Sequence, residues 1–546
     1  MLKPVSIPAL PEETARIASK VFPNNNLYLI IGDKIGYLFT DEDFIDLYGT
    51  EGPPAGVSPA LLALVSIFQF IENIPDRQAA EQVRARIDWK YALHLALDDP
   101  GFDFSVLSDF RQRLVSHEAG PGVFKRVLER LVELGLLSKG GKQRTDATYV
   151  LSAVRDLSRL ELVAETMRLA LEALAEQEPV WLRTVAPAHW YERYNRILTT
   201  FRLPRGRQKQ QALAFEIGAD GFYLLEKVQA ARTDPALAQL AELELLGQVW
   251  TQQFDQTGGQ VMWRLPKEMP PGAEQIATPH DPEARHTARK TQSWTGYQVH
   301  LSETCEPDQP HLITHVETRP ATTAEITVLD DIHQGLAQIN LLPDDHLVDN
   351  GYIAGHAIVA SQQRYGVHLV GPVADDTSWP ARQPAGLTAD QFQINWAQQR
   401  AICPEGHASI YWSEATNQYG HPTVNIQFPK NRCLACPARA RCTQATNTGR
   451  TLHLSLHFEA ILKRRQEQQT DDFKATYAAR AGVEGTISAA VRSHGARRSR
   501  YIGQSKTTLQ EFFMATAINL KRAAQWLIGD RPKGTRPPSL SCLAPA

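Results

Sequence analysis

From Ser58 onward the chain alternates between stretches whose apolar residues recur with a helical period and short apolar runs of strand length. Ser58 is a good helix cap and Pro59 suits the first helical position, and the run LLALVSIFQFIENI follows them. The same period continues through AAEQVRARIDWKYALHLAL and, after a turn at Asp98–Gly101, through SVLSDFRQRLVSH and VFKRVLERLVELGLL. Four helices with short connections in about 80 residues predict an α-helical domain, set at 1–139. Residues 1–50 show no clear period. A glycine pair, Gly140–Gly141, leads into QRTDATYVLSAV, where Thr, Tyr and Val predict a strand with Asp146 inside it.

The next segment, Leu157 to Gln253, is rich in Leu, Ala and Glu and predicts a long helical insert, while the Pro-rich, charged stretch 264–293 reads as a loop. TGYQVHLSE (295–303) and HLITHVETR (311–319) predict a hairpin, and TAEITVLDDIHQGLAQ (323–338) a helix. DHLVDNGY (345–352) predicts a strand ending in a turn, GHAIVASQQRYG (355–366) a helix, and VHLVGPV (367–373) another strand. A second insert precedes a final long helix at about 471–496. The order β, helical insert, ββ, α, β, α, β is that of a ribonuclease-H-like α/β domain, although alternation alone fits several α/β folds. The expected division is 1–139 helical, 140–156 first core strand, 157–262 helical insert, 263–373 core, 374–455 second insert, 456–525 C-terminal helices and 526–546 a disordered tail.

Composition changes this picture little. The 546 residues suit several domains, and 43% hydrophobic with 21% charged residues is ordinary for a globular protein. The longest apolar stretch, Ala60 to Ile71, is interrupted by Ser66 and Gln69 and is too short for a bilayer. The N-terminus lacks the pattern of a signal peptide, so a soluble intracellular protein is expected. Charge is more informative. Residues 425–533 carry 19 Lys/Arg against 7 Asp/Glu, a local +12, which leaves −16 on residues 1–424. A basic C-terminal fifth suggests a polyanionic partner. A solvated basic helix surface would produce the same counts.

Three carboxylates stand out on these elements. Asp146 lies mid-strand in RTDAT, Asp349 ends an apolar strand in LVDNGY, and Glu484 lies in the last helix. Hard oxygen ligands gathered from rigid elements are what Mg²⁺ requires, and two such ions suit phosphoryl transfer. Each residue alone has a plainer reading, such as a turn or helix cap for Asp349. Tyr477, Arg480 and Glu484 are spaced i, i+3, i+7, within about 60° of one helix face. Gly482 and Gly485 flank the glutamate at a cost of roughly 1 kcal/mol each, which suggests close approach by another backbone, either that of the sheet or that of a DNA strand. Arg492, Arg497, Arg498 and Arg500 follow and suit phosphates. An amphipathic helix with a chance ion pair is the plainer alternative.

TDATY around Asp146, WTGYQVH (294–300), LVDNGY around Asp349 and Tyr-x2-Arg-x3-Glu (477–484) together resemble the DDE transposases of bacterial insertion sequences. DFSVLSDFRQRL (103–114) and RSRYIGQSKTTLQEFFMATAINLKR (498–522) resemble one branch of them, so the resemblance spans roughly 50–525. It implies a ribonuclease-H-like core in which Asp146, Asp349 and Glu484 hold two Mg²⁺ (or Mn²⁺) ions. It also implies cleavage at the ends of an element and strand transfer into target DNA. The implied partners are double-stranded DNA, as terminal inverted repeats and target, and further copies of the chain in a synaptic complex. It further implies no membrane partner and a cytoplasmic, nucleoid-associated location. Tyr477, Arg480, Arg492, Arg497, Arg498 and Lys506 are the expected DNA contacts. The helical N-terminal domain, with its basic helix around Arg111 and Arg113, is the expected binder of DNA ends, in a helix-turn-helix-like manner; a plain helical bundle fits as well. One departure stands out: the lysine expected seven positions after the glutamate is Val491, with Arg492 beside it. A relative that binds DNA without cutting it, and a nuclease for junctions or RNA hybrids, are the competing readings.

Four cysteines, Cys403, Cys433, Cys436 and Cys442, crowd the second insert, and Cys433-Leu-Ala-Cys436 has knuckle spacing. Thiolates so placed suit a structural Zn²⁺, with His407 as a substitute ligand. Lys430, Arg432, Arg439 and Arg441 between them would let the insert touch DNA. Cys305 and Cys542 read as incidental. Trp294, Tyr297 and His300 read as hairpin packing residues, and Arg285, His286, Arg289 and Lys290 as a basic loop, either solvated or meeting a DNA end. Tyr411 and Trp412 either stack on an unpaired base or pack within the insert.

Overall fold

The glycine pair ahead of the first strand sits at φ +83° and +68°, backbone that favours glycine, and turns the chain into β1 (Lys142–Leu151). This computed structural model describes residues 2, 4, 7–48, 55–199, 203–231, 237, 239–257, 260–289, 292–417 and 420–531. Lys290, Cys542 and nearly all of the expected tail lie outside the described residues. The helical insert after β1 ends in a small hairpin, β2 (Phe254–Thr257) and β3 (Gln260–Trp263). The main sheet then adds β4 (Arg285–Arg289), β5 (Gln292–Thr304), β6 (Ile313–Pro320), β7 (Asp345–Leu347) and β8 (His368–Val370).

The sheet is mixed. β5 runs antiparallel to β1, with Asp146 opposite Leu301, and both β4 and β6 pair with the other edge of β5. β7 lies parallel to β1, and β8 parallel to β7. Across the sheet the order is therefore β6–β5–β1–β7–β8, with β4 beside the far end of β5. The stretch expected as a loop at 264–293 thus contains a strand, because Arg285–Arg289 finds a free edge of the unusually long β5.

A single apolar core joins the N-terminal helices, the sheet and the C-terminal helix Gln504–Leu527. The first fifty residues, which show no period, supply Tyr28, Ile31, Ile35 and Phe39 to it from elements as short as Leu27–Ile30. Asn519 of the C-terminal helix clips it to the sheet by bonding both the N–H and the C=O of Ile313, each at 2.7 Å. The helical insert has its own core around Met167, Trp190 and Trp250. The second insert has another, around Val424, Ile426 and Leu452. No helix among the described residues is long and apolar enough to cross a membrane.

Two predicted helices are broken by hydrogen bonds from outside. The stretch 79–97 divides into Asp76–Ala85 and Ile87–Ala92 at extended Arg86, whose guanidinium holds Asp88 at 2.6 Å and Glu72 at 2.9 Å. The last helix divides into Asp471–Ala478, a 3-10 turn Ala479–Gly482, and Val483–His494. The carbonyl of Ala479 accepts from Arg144 at 2.5 Å, which takes it out of the helical ladder.

Arg111 does not present a cation to DNA. It is buried, paired with Asp76, and lies 5.0 Å over the Tyr501 ring, so it fastens the N-terminal helices to the C-terminal segment. Arg113 remains exposed over Tyr48.

Candidate active site

β1 carries Asp146 at the middle of the sheet, where its side chain is 19% exposed. Next to it β7 ends at Leu347, and two residues later Asp349 caps the 3-10 turn Asn350–Tyr352, accepting from the Gly351 N–H at 2.8 Å. The plainer reading of Asp349 as a cap is therefore met, and its second oxygen is left to face its neighbours. Glu484 stands in the first turn of Val483–His494 and is largely solvated. Between the three lies the guanidinium of Arg480, 2.8 Å from Asp146, 3.8 Å from Asp349 and 4.0 Å from Glu484. Burial raises the carboxyl of Asp146 to about 6 against the pull of Arg480 and of the Ala147 N–H, with Asp349 and Glu325 pushing in the same direction as burial.

Glu325 is a fourth carboxylate beside this group that the sequence did not single out. It accepts from Gln298 at 3.1 Å and pairs with Arg289 at 3.0 Å. Its other oxygen lies against Gly351, where any Cβ would collide with it. Below, the fully buried Tyr352 shares a 2.6 Å hydrogen bond with His300 Nδ1, and burial lowers that imidazole to about 3. His300, Tyr297 and Trp294 are thus packing residues, as their positions in the hairpin suggest. The loop that carries Asp349 is held from both sides.

The helix of Glu484 is fixed by a buried charge network. Glu303 of β5 is fully buried and accepts from Arg144 at 2.8 Å, from Arg522 at 2.9 Å and from Thr486 at 2.5 Å. Arg522 in turn donates to Thr486 at 2.6 Å. Thr486 is two residues from Glu484, so the network sets where that helix sits. It also separates the two glycines. A Cβ at Gly482 would fall within the Arg144 guanidinium, whereas Gly485 has open space around it. Close approach thus explains the first glycine, through a side chain rather than a backbone. No protein atom approaches the second, which opens onto a cavity of about 530 Å³ lined in part by Arg144, Arg522 and Trp526.

The expected DNA contacts separate into two kinds. Arg492, Arg498 and Lys506 are exposed. Arg497 donates to Thr148 at 3.0 Å and lies 4.4 Å over the Tyr149 ring. Tyr477 is half-buried, stacked on Phe473 at 5.7 Å and packed with Cys305 against Leu347 and Val370. Because the helix is broken, Tyr477, Arg480 and Glu484 do not share one continuous helical face. Arg500 is engaged with the N-terminal helices, bonding Ile74 O at 2.9 Å and lying over Phe70. Val491 packs against the main core, so a side chain at that position turns inward.

In the second insert, Cys403, Cys433, Cys436 and Cys442 line one cavity of about 30 Å³ together with His407 and Arg450. The N–H of His407 donates to Cys403 Sγ at 3.3 Å and that of Arg450 to Cys433 Sγ at 3.4 Å. Trp412 packs edge-on against Trp396, while Tyr411 is 52% exposed. Among the described residues, no three His, Cys, Asp or Glu side chains form a ready-made metal-holding group.

Arg144, Glu303, Thr486 and Arg522 were missed by sequence reasoning. The available signal was charge inside strands: Arg144 and Glu303 sit in otherwise strand-like runs, where a buried ion must find a partner. Residues 402–524 match a family model described as a transposase DDE domain, and residues 16–113 match one described as a transposase domain (DUF772). The first spans the four cysteines, Tyr477, Arg480 and Glu484; neither reaches Asp146 or Asp349. No curated protein matches the chain.

Proposed function

We propose, from the premise that the chain belongs to the DDE transposases of insertion sequences, that it cuts DNA at the ends of an element and joins them to target DNA through Asp146, Asp349 and Glu484. The observation that carries this reading is the meeting of these three carboxylates around one cationic group within 4.0 Å. The sheet order β6–β5–β1–β7–β8, with β1, β7 and β8 parallel, supports a ribonuclease-H-like core as the frame.

The donor set fits divalent metal. All three groups offer hard oxygen, they come from a strand, a strand end and a fixed helix, and they already attract a guanidinium. Two bound Mg²⁺ or Mn²⁺ ions would activate the attacking oxygen and stabilise the leaving one. The protein supplies the rest. Glu303 and its arginines hold the helix of Glu484 in place, and Glu325 with Tyr352 holds the loop of Asp349. Arg492, Arg498 and Lys506 present exposed cations to the phosphates on either side, with Arg497 anchored on β1 beside them. The thiols of the second insert fit a structural Zn²⁺, since four sulfurs share one cavity and two backbone N–H groups already stabilise them. Residues 1–139 would bind the inverted repeats, and a second copy would complete the synaptic complex.

The test is cleavage of a duplex bearing the element's terminal sequence, with Mg²⁺ and with EDTA. The wild type nicks at the element's end only with metal, and Asp349→Ala and Glu484→Gln bind the duplex without nicking it. Binding without cutting by the wild type would mark it as an inactive relative that only binds DNA.

A further inference from the structure

We infer that Arg480 is the resident cation of the carboxylate pocket and leaves it for a substrate phosphate, so that DNA binding and divalent-metal binding are coupled through this one side chain. The inference rests on the proposed role of the three carboxylates.

Arg480 is only 15% exposed, and its guanidinium stands within 4.0 Å of Asp146, Asp349 and Glu484. Ligands of Mg²⁺ stand at about 2.1 Å from the ion. A guanidinium lodged among the carboxylates fills that space, and its charge repels a second cation at short range.

Arg480 is also poorly tied down. Its Nε is buried and has no hydrogen-bond partner among the described residues, and only the contact to Asp146 is of hydrogen-bond length. It sits on the 3-10 turn Ala479–Gly482, whose carbonyl at Ala479 is held by Arg144, so the backbone stays fixed when the side chain swings. A phosphate oxygen pair matches the guanidinium fork better than three carboxylates at 2.8, 3.8 and 4.0 Å do. When DNA takes Arg480, the carboxylates are freed together. Linkage then requires that metal raise DNA affinity by the factor by which DNA raises metal affinity.

The test measures Mn²⁺ binding to the full chain by electron paramagnetic resonance, with and without a duplex bearing the element's terminal sequence. In the wild type the duplex tightens Mn²⁺ binding on the order of five- to a hundredfold. Arg480→Gln tightens DNA-free Mn²⁺ binding by a similar factor and removes most of the further gain from DNA, while Arg480→Lys stays near the wild type. Asp146→Asn serves as the control and abolishes Mn²⁺ binding. If Asp146→Asn leaves Mn²⁺ binding intact, the carboxylate site itself is wrong and the inference falls with it. If Asp146→Asn abolishes binding but Arg480→Gln leaves DNA-free affinity unchanged, the site stands and the coupling is overturned. An absence of any DNA effect in the wild type overturns it as well, whatever the variants' folding.

Discussion

The carboxylate pocket and the cysteine pocket gather their groups in opposite ways. Asp146, Asp349 and Glu484 come from a strand, the end of a neighbouring strand and a helix near the other end of the chain, and they meet only because the sheet and the Glu303 network bring them together. Cys403, Cys433, Cys436 and Cys442 come from adjacent turns of one small insert and share a cavity through local chain geometry. The first pocket already holds one cation, the guanidinium of Arg480, among its three carboxylates. In the second, burial raises the Cys442 thiol, with the other three cysteines adding to the effect and Arg450 opposing it. A site built from rigid, distant elements can keep its geometry without an ion, whereas a zinc held by short turns would also contribute to the folding of the insert that carries it.

The largest expected effect separates the two pockets by function. Asp146→Asn and Asp349→Asn each reduce metal-dependent cleavage by more than about a hundredfold, with thermal unfolding unchanged. Residual cleavage near the wild-type rate in either variant would sink the catalytic assignment. The proposed zinc has the reverse signature: Cys433→Ser lowers zinc content from about one per chain to none. The fluorescence of Trp396 and Trp412 changes with it, while Mn²⁺ binding at the carboxylates persists. A zinc-free wild type with the same spectrum would break the comparison.

The charges beneath the first pocket sharpen it further. Glu303→Gln leaves Arg144 and Arg522 without their buried partner and costs about 3–5 kcal/mol in chemical unfolding. Glu511, equally buried in the C-terminal helix, is the contrast: one of its oxygens has no partner among the described residues, and burial raises its carboxyl to about 8. Its folded value lies above the ordinary 4.5, so its contribution is fully present below pH 4.5 and is lost as pH rises toward about 8. Glu511→Gln therefore flattens the fall in melting temperature between those limits, and an unchanged slope would refute the assignment.

The smallest effects test the two glycines. Gly482→Ala forces Arg144 off the helix and lowers both stability and cleavage, whereas Gly485→Ala, with open space around it, stabilises by roughly 0.5–1 kcal/mol. Equal behaviour in a melting experiment would mean that Arg144 does not pack there.

Much of this was legible from the chain. The helical periods of Pro59–Glu72, Ser105–Ser116 and Gly120–Glu133, the hairpin of β5 and β6, and the knuckle of cysteines all follow from local pattern. The breaks at Arg86 and Ala479 were not legible, because each is made by a hydrogen bond or ion pair to another element rather than by a helix-breaking residue. β4 was hidden for a related reason: Arg285–Arg289 is charged and becomes a strand only because β5 offers it an edge. At the site, the spacing of Arg480 and Glu484 placed them near each other, but nothing local placed Arg480 on Asp146.

The sequence by itself determined which residue types recur at which period, and hence where apolar faces, turns and thiol knuckles fall, since these depend on neighbours a few positions away. Only the tertiary structure decided which charges are working cations and which are internal ties. Arg111, Arg144 and Arg500 look no different in sequence from Arg492 and Arg498, yet the first three are engaged inside the protein and the last two are exposed. The reason is physical: a charge is defined by what desolvates and pairs it, and that partner is set by the packing of elements tens to hundreds of residues away.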